Sequence, residues 1–267
     1  MKKLTAVFLA VLCLVCSFAP VSYADTASDV PADEPVKIST LRESANFIFK
    51  GSENEIQIVT AVFTADGEER NIYVVTAMGM YFSTKKVNHP FAAVLSTLNI
   101  KTAYYRMIKK FMLENIPAGS EVFLIGHSFG GMVMQQLRCD RELTESYDIS
   151  ATVTYGAPYI ITAKSRQEGI LVRAVDYHDL IPLFSPAIIF SRKNHKDAIK
   201  EDGGYLGDRE ASHKRSYRYS NIWDEYDVIG RKEAEAHYTY LPGDVISLST
   251  MRHPEKIQTS EETTKEN

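Results

Sequence analysis

The strongest constraint on this chain is the apolar run Glu121-Val122-Phe123-Leu124-Ile125, which passes directly into Gly126-His127-Ser128-Phe129-Gly130-Gly131. The stretch reads as a strand, a very tight turn bearing a serine, and a helix. Gly-x-Ser-x-Gly in that context is a nucleophile elbow. Such a turn drives the serine into strained backbone geometry and lifts its hydroxyl to the top of a sheet. Glycines two residues to either side are needed because a side chain there would collide with the neighbouring strand or helix. The competing reading is an ordinary Gly-rich connection between a strand and a helix.

The rest of the chain can supply the sheet. Glu55 to Phe63 alternates as a strand, Ala65-Asp66-Gly67-Glu68 makes a turn, and Asn71 to Thr76 returns as a more continuously apolar strand. Lys101 to Asn115 carries Tyr104, Tyr105, Ile108, Phe111 and Met112 on one helical face, a core-facing stripe. A helix follows the elbow from Gly130 to Arg138. Further strands run from Ala151 to Tyr155 and from Ile170 to Val175. Strands alternating with helices across crossover-length connections predict an α/β fold, a mostly parallel sheet with helices on both faces. With 267 residues, 45% of them hydrophobic, one such domain is a common size. Beyond Pro186 the pattern weakens. Tyr205 to Tyr226, with several tyrosines and Trp223, reads as packing under a long C-terminal excursion. The acids of Glu201 to Asp208 have no metal-loop spacing.

Met1-Lys2-Lys3 and the apolar run Leu4 to Ala19, ending in Ser22-Tyr23-Ala24, have the layout of a secretory signal peptide cleaved after Ala24. About sixteen apolar residues are short for a membrane span. The expected organisation is a leader over 1–24, a linker over 25–37, a domain over 38–251 and a polar, disordered tail over 252–267. Cleavage takes Lys2 and Lys3 away and moves the formal charge from −4 to −6, which disfavours nucleic acid or an anionic membrane as an electrostatically held partner. Cys13 and Cys16 leave with the leader, so Cys139 remains without an internal disulfide partner. Export without disulfides leans towards a bacterial, secreted or periplasmic protein. Oligomeric state has no signature here.

A serine hydroxyl needs an adjacent base, and the base an acid to orient it. After an elbow of this type the expected chain order is Ser, then Asp or Glu, then His, with the acid on a loop after a downstream strand. The loop after Val175 reads Asp176-Tyr177-His178-Asp179-Leu180-Ile181-Pro182, so Asp176 and Asp179 compete. Downstream histidines are His195, His213 and His237. His213 stands in Ser212-His213-Lys214-Arg215, among cations that would oppose an imidazolium. His127 points away from its neighbour's hydroxyl, and His178 shares the acid loop. One oxyanion donor is the N–H of Phe129, directly after the nucleophile. The other should come from a loop after an earlier strand.

Gly-His-Ser-Phe-Gly-Gly, then Thr154-Tyr155-Gly156-Ala157-Pro158, then Arg173-Ala174-Val175 with Asp179-Leu180-Ile181-Pro182, resembles the class 3 (fungal-type) lipase family, within the α/β-hydrolase superfamily. The resemblance implies an α/β-hydrolase fold with Asp179 as acid. It implies His237, in His237-Tyr238-Thr239-Tyr240, as base. It also places the oxyanion loop at Met78-Gly79-Met80, where the main-chain N–H of Met80, or else that of Met78, is the second donor. This loop departs from the family's Arg-Gly-Ser or Arg-Gly-Thr, because Met80 lacks the hydroxyl that often assists there. The family's lid position falls on residues 81–100, where Phe91, Val94, Leu95 and Leu98 recur at helical spacing. Such a lid would allow transient contact with a lipid surface; an ordinary packed surface helix fits the same spacing. The implied reaction is carboxylic-ester hydrolysis of an acyl ester or lipid through an acyl-enzyme, with no cofactor and no metal. Phospholipid, thioester and amide cleavage are alternatives on the same triad, and a catalytically weak lipid-binding module is the alternative outside enzymes.

Overall fold

A computed structural model describes residues 55–65, 67–80, 85–160, 169–186, 198–227 and 239–248. The leader, the linker, the tail and His237 lie outside the described residues. Among those described, no helix is long and apolar enough to cross a membrane.

The chain builds a seven-stranded sheet in the order β6-β5-β4-β3-β2-β1-β7. In sequence these strands are β1 (Ile56–Ala65), β2 (Glu68–Ala77), β3 (Glu121–His127), β4 (Asp148–Tyr155), β5 (Ile170–Asp176), β6 (Ile199–Glu201) and β7 (Thr239–Leu248). Strands β2 to β6 pair in parallel, while β1 pairs antiparallel with both β2 and β7. The result is an α/β protein with a mixed, mostly parallel sheet.

Side-chain alternation sorts the core into two layers. Val122 and Leu124 of β3 face one layer, together with Ile58 and Val75; Phe123 and Ile125 face the other, with Val74 and Val153. The first layer is covered by α1 (Pro90–Thr97), α2 (Ala103–Asn115), α3 (Phe129–Leu137) and α4 (Arg141–Ser146). The buried face of α2 is Tyr104, Tyr105, Ile108, Phe111 and Met112, the stripe expected from its periodicity. Thr102 caps its start by accepting from the Tyr105 N–H, and Pro117 follows its last turn.

The second layer is closed from beyond residue 200. Helix α5 (Arg209–Tyr219) buries Tyr217, and the 3-10 turn Asn221–Glu225 buries Trp223; the two rings stack 5.5 Å apart. The weakly patterned tyrosine-rich excursion therefore covers the second core layer with Tyr217, Trp223 and Tyr226. Helix α1 forms within the stretch read as either a lid or a packed surface helix; it buries Ala92, Ala93, Val94 and Ser96, and Phe91 and the capping Leu98 are exposed. It packs on α3, the helix that follows the elbow.

Candidate active site

Ser128 sits between β3 and α3 with φ 52° and ψ −120°. Asn99 is the one other non-glycine residue with positive φ among the described residues. Such geometry costs on the order of 1–3 kcal/mol and persists only where its surroundings enforce it. Here β4 and the next helix turn do so. The Ser128 N–H donates to the Tyr155 carbonyl (2.9 Å), and its own carbonyl accepts from Met132 N–H (3.2 Å). Gly130 lies so close to the end of β2 that a Cβ would stand 2.3 Å from the Ala77 carbonyl oxygen and 2.4 Å from that of Met78. That approach seats α3 against the sheet and sets the buried serine at its carboxyl edge.

Asp179 is held in the loop after β5, as expected. Its backbone N–H donates to the Asp176 carbonyl (3.1 Å), and its Oδ1 accepts from Ile181 N–H (2.9 Å). Its Oδ2 accepts from the Tyr217 hydroxyl (2.7 Å) and meets His213 Nδ1 at 2.9 Å. Gly156 makes the room, because with φ 54° a Cβ there would stand 2.7 Å from both Asp179 Oδ2 and the Tyr217 ring. Burial and the neighbouring Asp179 charge hold the Tyr217 phenol well above its usual range, so it remains a donor. Asp176, the competing acid, is fully buried and organises the loop instead. It accepts from His178 N–H (2.6 Å), Gly203 N–H (2.8 Å) and the Ser216 hydroxyl (2.5 Å).

The histidine that meets the serine is His213. Its Nε2 lies 2.9 Å from Ser128 Oγ, while Nδ1 faces Asp179. The expected base, His237, lies outside the described residues; among those described, the histidine on Ser128 Oγ is His213. The objection to His213 rested on Lys214 and Arg215, but adjacent helical residues point in different directions. His213, Ser216 and Tyr217 share the buried face, Arg215 is exposed, and Lys214 pairs with Glu210 at 3.0 Å. The available signal was Asp208 followed by Ala211, Ser212, His213, Ser216 and Tyr217 at helical spacing. Asp208 caps α5 by accepting from Ala211 N–H.

His127 completes the arrangement from beneath. Its Nε2–H donates to the His213 carbonyl oxygen (2.8 Å), and the two rings lie 4.7 Å apart. Burial, and then the positive charge His213 would carry, hold its pKa well below the usual range. His127 is therefore a neutral support and not a second base.

Phe129 is the first residue of α3, so its N–H belongs to the turn whose amides have no acceptor within the helix. The loop Met78 to Met80 runs alongside. A Cβ on Gly79 would stand 3.0 Å from that of Ser128, and Met80 packs half-buried on the first core layer. Both oxyanion candidates, Phe129 and Met80, thus lie in segments that flank the serine. No group of His, Cys, Asp and Glu side chains arranged to hold a metal ion occurs among the described residues. The chain matches no family model, no curated protein and no solved structure.

Proposed function

We propose that this protein is a serine hydrolase of carboxylic esters, built on an α/β-hydrolase fold similar to that of the fungal-type lipases. The observation that carries the reading is the relay from Ser128 Oγ through the His213 ring to Asp179 Oδ2, two contacts of 2.9 Å each, on a serine held at positive φ. Support for the fold comes from a parallel β2–β6 core, antiparallel β1 and an elbow after β3. The chain order Ser128, Asp179, His213 is the order that fold uses.

The chemistry follows from the positions. Ser128 Oγ attacks the acyl carbonyl while His213 Nε2 takes its proton, and Asp179 steadies the imidazolium through Nδ1–H. The tetrahedral oxygen takes hydrogen bonds from the Phe129 and Met80 N–H groups. Collapse breaks the ester C–O bond, and the alcohol leaves with the proton from His213. Water then loses a proton to His213 and adds to the acyl-enzyme, and collapse frees the carboxylic acid as His213 returns that proton to Ser128 Oγ. The hydrogen-bonded relay weighs against a non-catalytic lipid-binding module. An acyl ester or lipid remains the substrate class, and export by the N-terminal leader remains part of the reading.

The deciding experiment pairs fluorophosphonate labelling with a panel of p-nitrophenyl esters of increasing chain length. Wild type is expected to take one label per chain and to hydrolyse esters, with both properties lost in Ser128→Ala. Wild type that takes no label, or Ser128→Ala that keeps full activity, overturns the reading.

A further inference from the structure

The loop Met78 to Met80 departs from the pattern it resembles because no hydroxyl stands at position 80 to help fix the second oxyanion donor. Three contacts fix it by other means. Met78 N–H donates to the Glu55 carbonyl at the start of β1 (2.9 Å). The Tyr104 hydroxyl, from α2, donates to the Met78 carbonyl (3.0 Å). The Asn88 carboxamide Nδ2 donates to the Gly79 carbonyl (3.0 Å). Asn88 has no exposed surface, Val87 beside it is buried in the first core layer, and Lys86 forms an ion pair with the buried Glu55. Residues 86–88 thus fold back over the loop and hold it through both side chains and core packing.

The peptide geometry gives Asn88 a chemical role. The described peptide bonds are all trans, and in a trans peptide C=O and the following N–H point in opposite directions. A donor fixed on the Gly79 carbonyl therefore turns the Met80 N–H the other way, in a loop whose Gly79 lies against Ser128. Resting on the ester-hydrolase reading above, we infer that Asn88 is the positioning residue of the second oxyanion donor, acting through the Gly79–Met80 peptide in place of a hydroxyl at position 80. Its amide must be a donor, since the group it faces is a carbonyl oxygen. Met80 contributes its main chain to the reaction and its side chain to the core.

The test uses the full chain, a p-nitrophenyl ester, and an arylboronic acid whose tetrahedral adduct on serine places an oxygen in the oxyanion position. Asn88→Ala is expected to lower kcat by about tenfold to a hundredfold with KM little changed, because a displaced donor is felt mainly in the transition state. Boronate affinity should fall by the same factor. Asn88→Asp keeps the volume but sets an acceptor against the Gly79 carbonyl, and should lose at least as much. Rates are expressed per serine titrated by fluorophosphonate to completion, so a partly unfolded sample does not imitate the loss. Variants of lowered thermal stability that retain wild-type kcat and boronate affinity assign Asn88 to structure alone and overturn the inference while leaving the hydrolase reading intact. A wild type without labelling or hydrolysis overturns both.

Discussion

The two halves of the site are built on different principles, and the contrast between the elbow and helix α5 shows what each kind of construction can tolerate. The elbow fixes Ser128 through neighbours in sequence and the adjoining strands, with Gly130 against β2 and the Ser128 N–H on β4. Helix α5 fixes His213 through side chains far away in the chain. His127 holds its carbonyl, Tyr217 and Asp179 hold its acid side, and Ser216 reaches Asp176. One half depends on backbone space and the other on a polar network. Backbone space fails abruptly; a network fails by degrees.

The largest effect belongs to the histidine itself. His213→Ala should lower kcat by about 10⁴-fold or more, as losing the base of a triad does. His237→Ala should leave kcat at the wild-type level. The reverse outcome in a steady-state ester assay would put the base outside α5 and dissolve the comparison.

Next comes the elbow. Gly130→Ala drives a Cβ into two main-chain carbonyls at the end of β2, neither of which can swing aside as a side-chain tip can. Overpacking of this kind costs about 3 kcal/mol. Because Ala77 and Met78 lead into the oxyanion loop, kcat should also fall, by about a hundredfold for a displacement near 1 Å. Urea unfolding and kcat measured together check the claim. A variant with normal stability would mean that the elbow has more room than its contacts imply.

This division also explains which parts were legible in the sequence. The elbow announced itself because its requirements fall within six consecutive residues. The acid loop did so because it follows a strand, although the choice of Asp179 over Asp176 came from the family resemblance and not from the turn itself. Both β1–β2 pairing and the buried stripe of α2 follow from local periodicity. Helix α5 was obscured because Lys214, Arg215 and Arg218 raise its polarity, although its inner face carries Ala211, Ser212, His213, Ser216 and Tyr217. The cations seemed to count against His213, yet they occupy other faces of the helix. Strand β7 escaped because Pro242 and Gly243 interrupt it, which an edge strand tolerates. What the sequence hid was long-range side-chain pairing, for which a single chain offers no period.

Tyr217→Phe tests the network at a smaller scale. The change removes the hydroxyl that donates to Asp179 and accepts from Asp176 N–H (3.0 Å) while keeping the stacked ring. A buried hydrogen bond to a charged acceptor contributes about 1.5–3 kcal/mol. The expected result is a stability loss of that order and a kcat lowered by about tenfold, with Ser128 still labelled. Unchanged stability and kcat would show that His213 is held without the phenol.

The smallest effect is a pH dependence confined to the support beneath His213. His127 is buried and its pKa is held well below the ordinary 6.5, first by burial and then by its histidine neighbour. The unfolded chain therefore takes up a proton near pH 6.5 that the folded protein refuses. The stability contributed by this residue is complete above about pH 6.5 and declines as the pH falls, approaching about 1.4 kcal/mol per pH unit. Asp140, whose carboxyl is held below its usual value by Lys109, Tyr105 and Lys101 against the cost of burial, loses its stabilising charge only in a more acidic range. Between about pH 6.5 and 5 the His127 contribution is the part of the slope in urea midpoints that disappears when this residue alone is replaced. His127→Gln keeps an N–H that can reach the His213 carbonyl but does not titrate, and it should flatten that slope. A slope equal to wild type in the variant would move the titrating group elsewhere. It would leave the His127–His213 contact as geometry without an electrostatic consequence.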